Sequence, residues 1–233
     1  MRYNMCMKRA VIACGVIAAA AQPAFAQSGR VSTPVGVVQI GIEGGASISN
    51  FIKNGNLPGG ANDPNNRTGG YGGLSFIVQS NSSAVGLQTG VLYVQKGAKS
   101  SFADGSLRGG VQLGYVEVPV MLRLGVPLSL IGVAPTVVLG GSLGWRVNCK
   151  AVAEVGNFSG SSDCDNALLN QDLNVKRFDG GLTAGIEVPI KLGERYLAVP
   201  SVRYVRGLTK ISDVGSNDRM NSTLLIGLGL RFR

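Results

Sequence analysis

The side chains best suited to take part in chemical reactions are those of eight charged residues spread along the chain. Four are acids and four are arginines: Glu43, Glu117, Asp179, Glu187, Arg123, Arg146, Arg177 and Arg203. A pair of carboxylates at a suitable distance supports general acid–base chemistry, but no feature of the sequence marks one pair. The chain contains no histidine, which excludes Ser-His-Asp and Cys-His nucleophiles and histidine-ligated zinc. The sequence therefore predicts a protein that is not an enzyme, with no catalytic, cofactor-binding or metal-binding residues.

The first 26 residues predict export. A basic start with Arg2, Lys8 and Arg9 is followed by the apolar segment Ala10–Ala21 and by the small-x-small sequence Ala24-Phe25-Ala26, which together form a cleavable signal peptide. A lipoprotein cut before Cys14 is the alternative, but it would leave too few apolar residues after Arg9. We predict a cleaved signal peptide over 1–26, a short lead-in over 27–36 and one domain over 37–233.

Cysteine usage agrees with export. Cys6 and Cys14 leave with the signal peptide, so the mature chain keeps Cys149 and Cys164. An even number of cysteines in an exported protein favours a disulfide, and two free thiols are the alternative. Two cysteines without histidine cannot supply the four ligands of a structural zinc site.

The elements that carry these residues alternate between apolar and polar positions with the period of two that defines a β-strand. In Val111–Val126, for example, Val116, Val118 and Val120 share one face, whereas Glu117 lies on the other. Eight segments follow this pattern: Val37–Ile48, Tyr71–Gln79, Val85–Lys96, Val111–Val126, Val133–Arg146, Arg177–Lys191, Tyr196–Val205 and Leu224–Phe232.

Glycine is frequent, with 35 of 233 residues, and the glycine runs Gly69–Gly73 and Gly140–Gly141 precede no helix, so they are not phosphate-binding loops.

Long and short connections alternate strictly between these segments. The short ones are Ser80–Ser83, Gly125–Gly132 and Leu192–Glu194, and the longest of the others is Val147–Val175. In an up-and-down meander, alternate connections emerge at the same end of the sheet. The sequence therefore predicts an all-β, eight-stranded up-and-down antiparallel transmembrane β-barrel, with long loops at one end and short turns at the other.

One segment competes with this interpretation. Leu124–Trp145 carries no charged residue and is long enough for a transmembrane helix. Its two prolines and five glycines would cost such a helix about 11 kcal/mol relative to alanine, although membrane helices tolerate these residues better than soluble ones. Two strands around a turn fit the neighbouring pattern better.

Aromatic residues on the apolar faces indicate which face points outward. Near the long-loop end these are Tyr93, Trp145, Phe178 and Tyr204, and near the short-turn end they are Tyr196 and Phe232. Aromatic girdles at both rims of an apolar band are typical of membrane barrels. A soluble exported barrel of the lipocalin type, with its apolar face inward, is the alternative.

The chain also resembles the PorT-like family of small outer-membrane β-barrel proteins. The stretches that carry the resemblance are Gly86–Gly97, Tyr115–Pro119, Arg203–Leu208 and Ile226–Phe232, within a region of about residues 36–233. The resemblance implies a barrel in the outer membrane of a diderm bacterium, surrounded by outer-membrane lipid and inserted by the barrel-assembly machinery. It implies no shared enzymatic activity.

Eight strands enclose an interior that their own side chains nearly fill. The four acids and the four arginines are expected to face this interior and to pair with one another, because unpaired charges there are costly. We therefore predict a structural or surface-interaction role carried by the long loops, where an envelope protein or a glycan would bind. A narrow transport or gating channel and a soluble lipocalin-like barrel are the alternatives. Although the formal charge is +9, export argues against a nucleic-acid partner.

Overall fold

The computed structural model describes residues 31–33, 36–54, 65–80, 84–101, 107–126, 134–155, 158–164, 176–210 and 218–232. The predicted signal peptide lies outside these residues, as does most of the predicted 27–36 lead-in. Within the described ranges, no helix is long and apolar enough to cross a membrane.

The described residues form β-strands joined by turns and bends. Their bounds are β1 (Val31–Thr33), β2 (Gly36–Asn54), β3 (Asn65–Gln79), β4 (Val85–Ser101), β5 (Leu107–Gly125), β6 (Thr136–Val155), β7 (Phe158–Asp163), β8 (Phe178–Glu187), β9 (Ile190–Leu192), β10 (Tyr196–Gly207) and β11 (Asp218–Phe232). Each of the eight alternating segments overlaps one of the long strands, most of which extend beyond the predicted bounds, and this confirms the all-β prediction. The helix considered for Leu124–Trp145 is wrong, because β5 ends and β6 begins within that segment.

Eight strands close into an antiparallel ring in the order β2, β3, β4, β5, β6, β8, β10 and β11. The ring is closed by β11, which pairs back to β2 from Asp218↔Asn54 to Phe232↔Ile40. Each long strand pairs with the next long strand along the chain, so the topology is up-and-down, as predicted. Closure leaves the ring without a free edge, which is what a sheet in hydrocarbon requires.

Two further details differ from the sequence prediction. The segment Arg177–Lys191 forms two strands, because Val188 and Pro189 interrupt it and proline has no backbone N–H to donate to a ladder. The connection predicted over Val147–Val175 is also partly structured. In it, β6 continues to Val155 and pairs with β7 as a hairpin at the long-loop end.

The two faces of the wall have the reverse polarity of a soluble protein. Large apolar side chains on the outside are strongly exposed, as for Leu143 at 59% and Leu182 at 57%, whereas Glu187 and Arg203 inside are 0% and 2% exposed. A lipocalin-like barrel would bury its apolar face, so that alternative is wrong. The outer face is one that hydrocarbon, and not water, would solvate.

Candidate functional site

The charged side chains inside the barrel form two clusters, and the first lies toward the short-turn end. Its centre is Glu187, whose Oε2 accepts hydrogen bonds from Arg123 Nη1 at 2.5 Å and from Arg231 Nη2 at 2.6 Å. Arg203 Nη2 donates to Glu187 Oε1 at 2.8 Å. Arg203 also binds Glu43 with both terminal nitrogens, Nη1 to Oε1 at 3.0 Å and Nη2 to Oε2 at 2.5 Å. We call these five residues the lower cluster.

The second cluster lies closer to the long-loop end and is centred on a lysine. Lys96 Nζ is 2.5 Å from Glu117 Oε1 and 3.0 Å from Asp179 Oδ2, and it stands 5.3 Å from the centre of the Tyr115 ring. Asn221 donates to the same Asp179 oxygen at 2.7 Å. We call Lys96, Glu117 and Asp179 the upper cluster.

A set of buried apolar side chains, which we call the apolar layer, lies between the two clusters along β4. It consists of buried side chains from four strands: Tyr71, Leu92, Val94, Val205 and Leu225. On β4, Leu92 and Val94 lie between Gln88, which accepts from Arg123, and Lys96. Along β4 the inward side chains therefore change from polar to apolar to charged.

The fully buried charges of the described residues balance one another. Four are acids and four are bases: Glu43, Glu117, Asp179, Glu187, Lys96, Arg123, Arg203 and Arg231. Each of them takes part in at least one ion pair within the lower or upper cluster. These ion pairs connect side chains of different strands inside the barrel. No group of three or more histidines, cysteines or acids in the described part of the chain could hold a metal ion.

Glycines on the inner wall make room for the long side chains. A Cβ atom at Gly185 would lie 2.8 Å from Arg203 Cγ, and one at Gly227 would overlap the Tyr71 hydroxyl and lie 2.9 Å from Tyr71 Cζ. Both distances are far inside van der Waals contact. At these two positions, a glycine on a nearby strand leaves the space that the arginine or tyrosine side chain occupies.

Six of the eight charged residues predicted to face the interior are buried there, namely Glu43, Glu117, Arg123, Asp179, Glu187 and Arg203. Arg146 is only half-buried, because the β5–β6 register shifts at Tyr115, just where Arg146 pairs. The interior assignment of Arg177 is contradicted, since this residue is exposed in a bend before β8 begins. Outside a strand, the alternation that suggested an inward direction does not hold.

The sequence prediction missed two members of the clusters, Lys96 and Arg231. Lys96 shares its face of β4 with Gln88, but the apolar Leu92 and Val94 between them conceal the polar pattern. Arg231 follows Gly227 and Gly229 on the inner face of β11. In both cases the alternation of inward and outward positions along the strand is the signal that could have identified the residue.

The predicted girdle residues Tyr93, Trp145, Phe178, Tyr196, Tyr204 and Phe232 are all exposed on the outer face, between 40% and 61%. Trp145 and Phe178 form an edge-to-face pair with ring centres 5.8 Å apart at the long-loop end. Tyr196 and Phe232 form a second such pair, at 5.6 Å, at the short-turn end. The apolar band is thus bounded by an aromatic pair at each end.

The predicted disulfide is confirmed. Cys149 on β6 and Cys164 just after β7 are bonded, with a Cα–Cα distance of 5.4 Å. The bond closes the base of the β6–β7 hairpin and packs with Leu113 and Tyr115 above the upper cluster.

Comparison with known proteins agrees with this architecture. Residues 25–213 match the family model described as outer membrane protein beta-barrel domain, and no curated protein matches significantly. Solved structures with a similar fold include Ail, the attachment invasion locus protein of Yersinia pestis, at 18% identity over 83% of this chain and 98% of that chain, with a TM-score of 0.39. A second is OprG from Pseudomonas aeruginosa, at 15% identity over 84% of this chain and 96% of that chain, with a TM-score of 0.47. A third is E. coli outer membrane protein W, at 13% identity over 89% of this chain and 100% of that chain, with a TM-score of 0.40.

The family match covers most of the chain and accords with its closed eight-stranded ring and apolar outer face. It confirms the resemblance at the level of the outer-membrane barrel family, and it locates the protein in the outer membrane with lipid around the barrel. This chain belongs to the outer membrane protein beta-barrel domain family.

Proposed function

We propose that this protein is a non-catalytic barrel with a closed interior, and that its long extracellular loops carry its function by contacting an envelope protein or a glycan. The proposal includes export through the cleaved signal peptide and insertion by the barrel-assembly machinery, for which family membership is the support. Long loops of outer-membrane barrels face the exterior, and short turns face the periplasm.

The observation that carries the proposal is the layered interior. The side chains of the lower cluster, the apolar layer and the upper cluster are all buried inside the barrel. An ion that entered would have to break ion pairs and then pass an apolar layer, where its desolvation is costly. This arrangement supports a structural plug over a conduit.

The long-loop end supports the second part of the proposal. There the β6–β7 hairpin extends beyond the β6–β8 ladder, which ends at Trp145↔Phe178, and the disulfide fixes its base. A hairpin held in this way presents a defined surface, and binding residues commonly lie on such projections from a rigid scaffold.

Planar-bilayer recording tests the plug. The wild-type barrel is expected to insert without unitary ion conductance. The triple variant Leu92→Ala/Val94→Ala/Leu225→Ala, which thins the apolar layer and leaves the charged clusters in place, is expected to conduct more than the wild type. Heat-modifiable gel migration verifies that both proteins are folded. Stable conductance of the wild-type barrel would instead support the channel alternative.

Site-specific photo-crosslinking on intact cells tests the surface role. A crosslinking residue at Ser161, which is exposed on β7, is expected to give a discrete protein or glycan adduct. The same residue at Lys191, which is exposed at the short-turn end, is the matched control and is expected to give a different pattern. If neither Ser161 nor other exposed hairpin positions yield an adduct, the surface role is contradicted.

A further inference from the structure

The sheet of the barrel wall continues past the aromatic girdle at the long-loop end, and β7 is its last strand there. The β6–β8 ladder ends at Trp145, but β4, β5 and β6 stay paired with one another beyond this level. β7 pairs with β6 over Phe158–Asp163. In the described part of the chain, no strand pairs with the other side of β7. The projecting sheet therefore ends in a strand edge.

The backbone groups of β7 alternate between its two sides. The Cys164 N–H donates to the Cys149 carbonyl at 3.2 Å, and in an antiparallel ladder such hydrogen-bonded pairs recur at every second residue. Counting back from Cys164, the even-numbered residues of β7 direct their N–H and C=O groups toward β6. The odd-numbered residues direct theirs to the opposite side. We call that side, formed by the backbone groups of Ser159, Ser161 and Asp163, the open edge.

The open edge lacks most of the features that block strand edges in other proteins. Natural edges are protected by proline, by charged side chains, especially lysine, and by bulges. The strand Phe158–Asp163 contains neither proline nor lysine, its single charge is at its last residue, and its register with β6 is unbroken. Ser161 is exposed, and a Cβ placed at Gly160 would have no atom within 4 Å. An approaching chain therefore meets small side chains in the middle of this edge.

We propose that the open edge binds an extended segment of a partner protein, which adds to the projecting sheet as one more strand. This inference rests on the proposed surface role, and it specifies the partner as a polypeptide instead of a glycan. The backbone donors and acceptors of Ser159, Ser161 and Asp163 recur at every second residue, a spacing that another extended peptide backbone shares. Strand addition takes its affinity from main-chain hydrogen bonds, so the small side chains of β7 are no obstacle.

A synthetic peptide with the sequence of residues 150–155, Lys-Ala-Val-Ala-Glu-Val, is the probe, because this sequence already pairs with β7 on its other side. Its binding to the mature barrel in phospholipid nanodiscs is measured by fluorescence anisotropy. Amide hydrogen exchange, followed by NMR, locates the contact. We expect the peptide to bind and to slow the exchange of the Ser161 and Asp163 amides. A copy that is N-methylated at each inner residue lacks the facing N–H groups and is expected not to bind.

The variant Ser161→Pro tests the edge from the side of the protein. It removes an N–H that points away from β6, so the β6–β7 hairpin should still form, which heat-modifiable migration and the disulfide verify. Peptide affinity should fall by about tenfold or more, because the proline removes a hydrogen bond and places its ring against the incoming strand. Ser161→Ala keeps the backbone N–H, so it is the matched control and should bind the peptide as the wild type does.

Three results would overturn the proposal: no binding of the peptide by the wild type, equal binding by Ser161→Pro, or equal binding of the N-methylated copy. If a crosslinker at Ser161 still gave a discrete adduct on cells, the surface role would stand without strand addition. Peptide binding at the open edge without any adduct from the hairpin would instead contradict the surface role alone.

Discussion

Arg203 and Glu43 form a two-point ion pair although they lie 160 positions apart in the chain. Arg203 belongs to β10 and Glu43 to β2, and these strands are not neighbours, because β11 lies between them. The pair spans the strand that closes the ring. It therefore exists only in the closed barrel, and it links barrel closure to the stability of the lower cluster.

Replacing Arg203 tests this link. The change Arg203→Met should destabilise the barrel by about 3–5 kcal/mol, the cost of leaving a buried charge without its partner, since Glu43 loses the guanidinium that binds it. The double variant Arg203→Met/Glu43→Gln should lose less than the sum of the single variants. Urea unfolding in lipid vesicles, followed by Trp145 fluorescence, measures all three.

Arg195→Met is the matched control for that series. Arg195 is exposed in the turn before β10, and its loss should change the free energy of unfolding by no more than about 0.5 kcal/mol. Additive effects in the double variant would show that Arg203 and Glu43 do not interact in the folded barrel.

The upper cluster makes a separate prediction. Lys96→Met leaves Glu117 and Asp179 close together without the lysine that binds both, so it should destabilise the barrel by about 3–5 kcal/mol. Adding Glu117→Gln to this variant removes the repulsion and should restore part of the loss. The same urea unfolding assay applies, and a double variant less stable than Lys96→Met would contradict the assignment.

Gly227 tests the packing of the interior. A methyl group at this position would overlap the Tyr71 side chain and approach the backbone of Gly44, so Gly227→Ala should cost about 1–3 kcal/mol through overpacking. Gly160→Ala is the control, because no atom lies within 4 Å of a Cβ placed there. Thermal unfolding compares the two, and a neutral Gly227→Ala would mean that Tyr71 occupies another position.

The disulfide is expected to act locally. Its cysteines are separated by 15 positions, and a loop of this size gives about 3 kcal/mol in the chain-entropy model. Because the eight-stranded ring does not depend on this bond, Cys149→Ser/Cys164→Ser should still show heat-modifiable migration. Its β6–β7 hairpin should be cleaved faster in limited proteolysis. Two reactive thiols per denatured, unreduced wild-type chain would instead show that the bond does not form.

Export predicts the mature N-terminus. Cleavage after Ala26 should leave a chain that begins at Gln27, which intact-mass measurement of the protein from outer membranes would detect. The variant Ala26→Leu should retain the signal peptide, because the cleavage site requires a small residue. A mature chain that starts at a lipid-modified Cys14 would support the lipoprotein alternative.

Much of the fold follows from local rules. A strand places successive side chains on opposite faces, so the alternation around Glu117 and Arg123 predicts both the strand and the inward direction of these residues. The alternation of long and short connections predicts the up-and-down order and the two unlike ends. The signal peptide and the cysteine count predict export and the Cys149–Cys164 bond.

The alternation of inward and outward side chains fails as a guide where the backbone departs from a regular strand. Arg177 precedes β8 and is exposed, and Arg146 lies at a register shift between β5 and β6. Neither irregularity has a clear local signal, because a bulge depends on how two strands fit together.

The sequence by itself determined the eight long strands, which face of each regular strand points inward and that the inner charges need partners. Only the tertiary structure decided which partners they take. Strand periodicity assigns a face but not the stagger between strands, and the stagger sets which side chains share a level in the lumen. Arg203 therefore reaches Glu43 across β11 and Glu187 on β8, and Lys96 joins Glu117 and Asp179, only after the ring has closed.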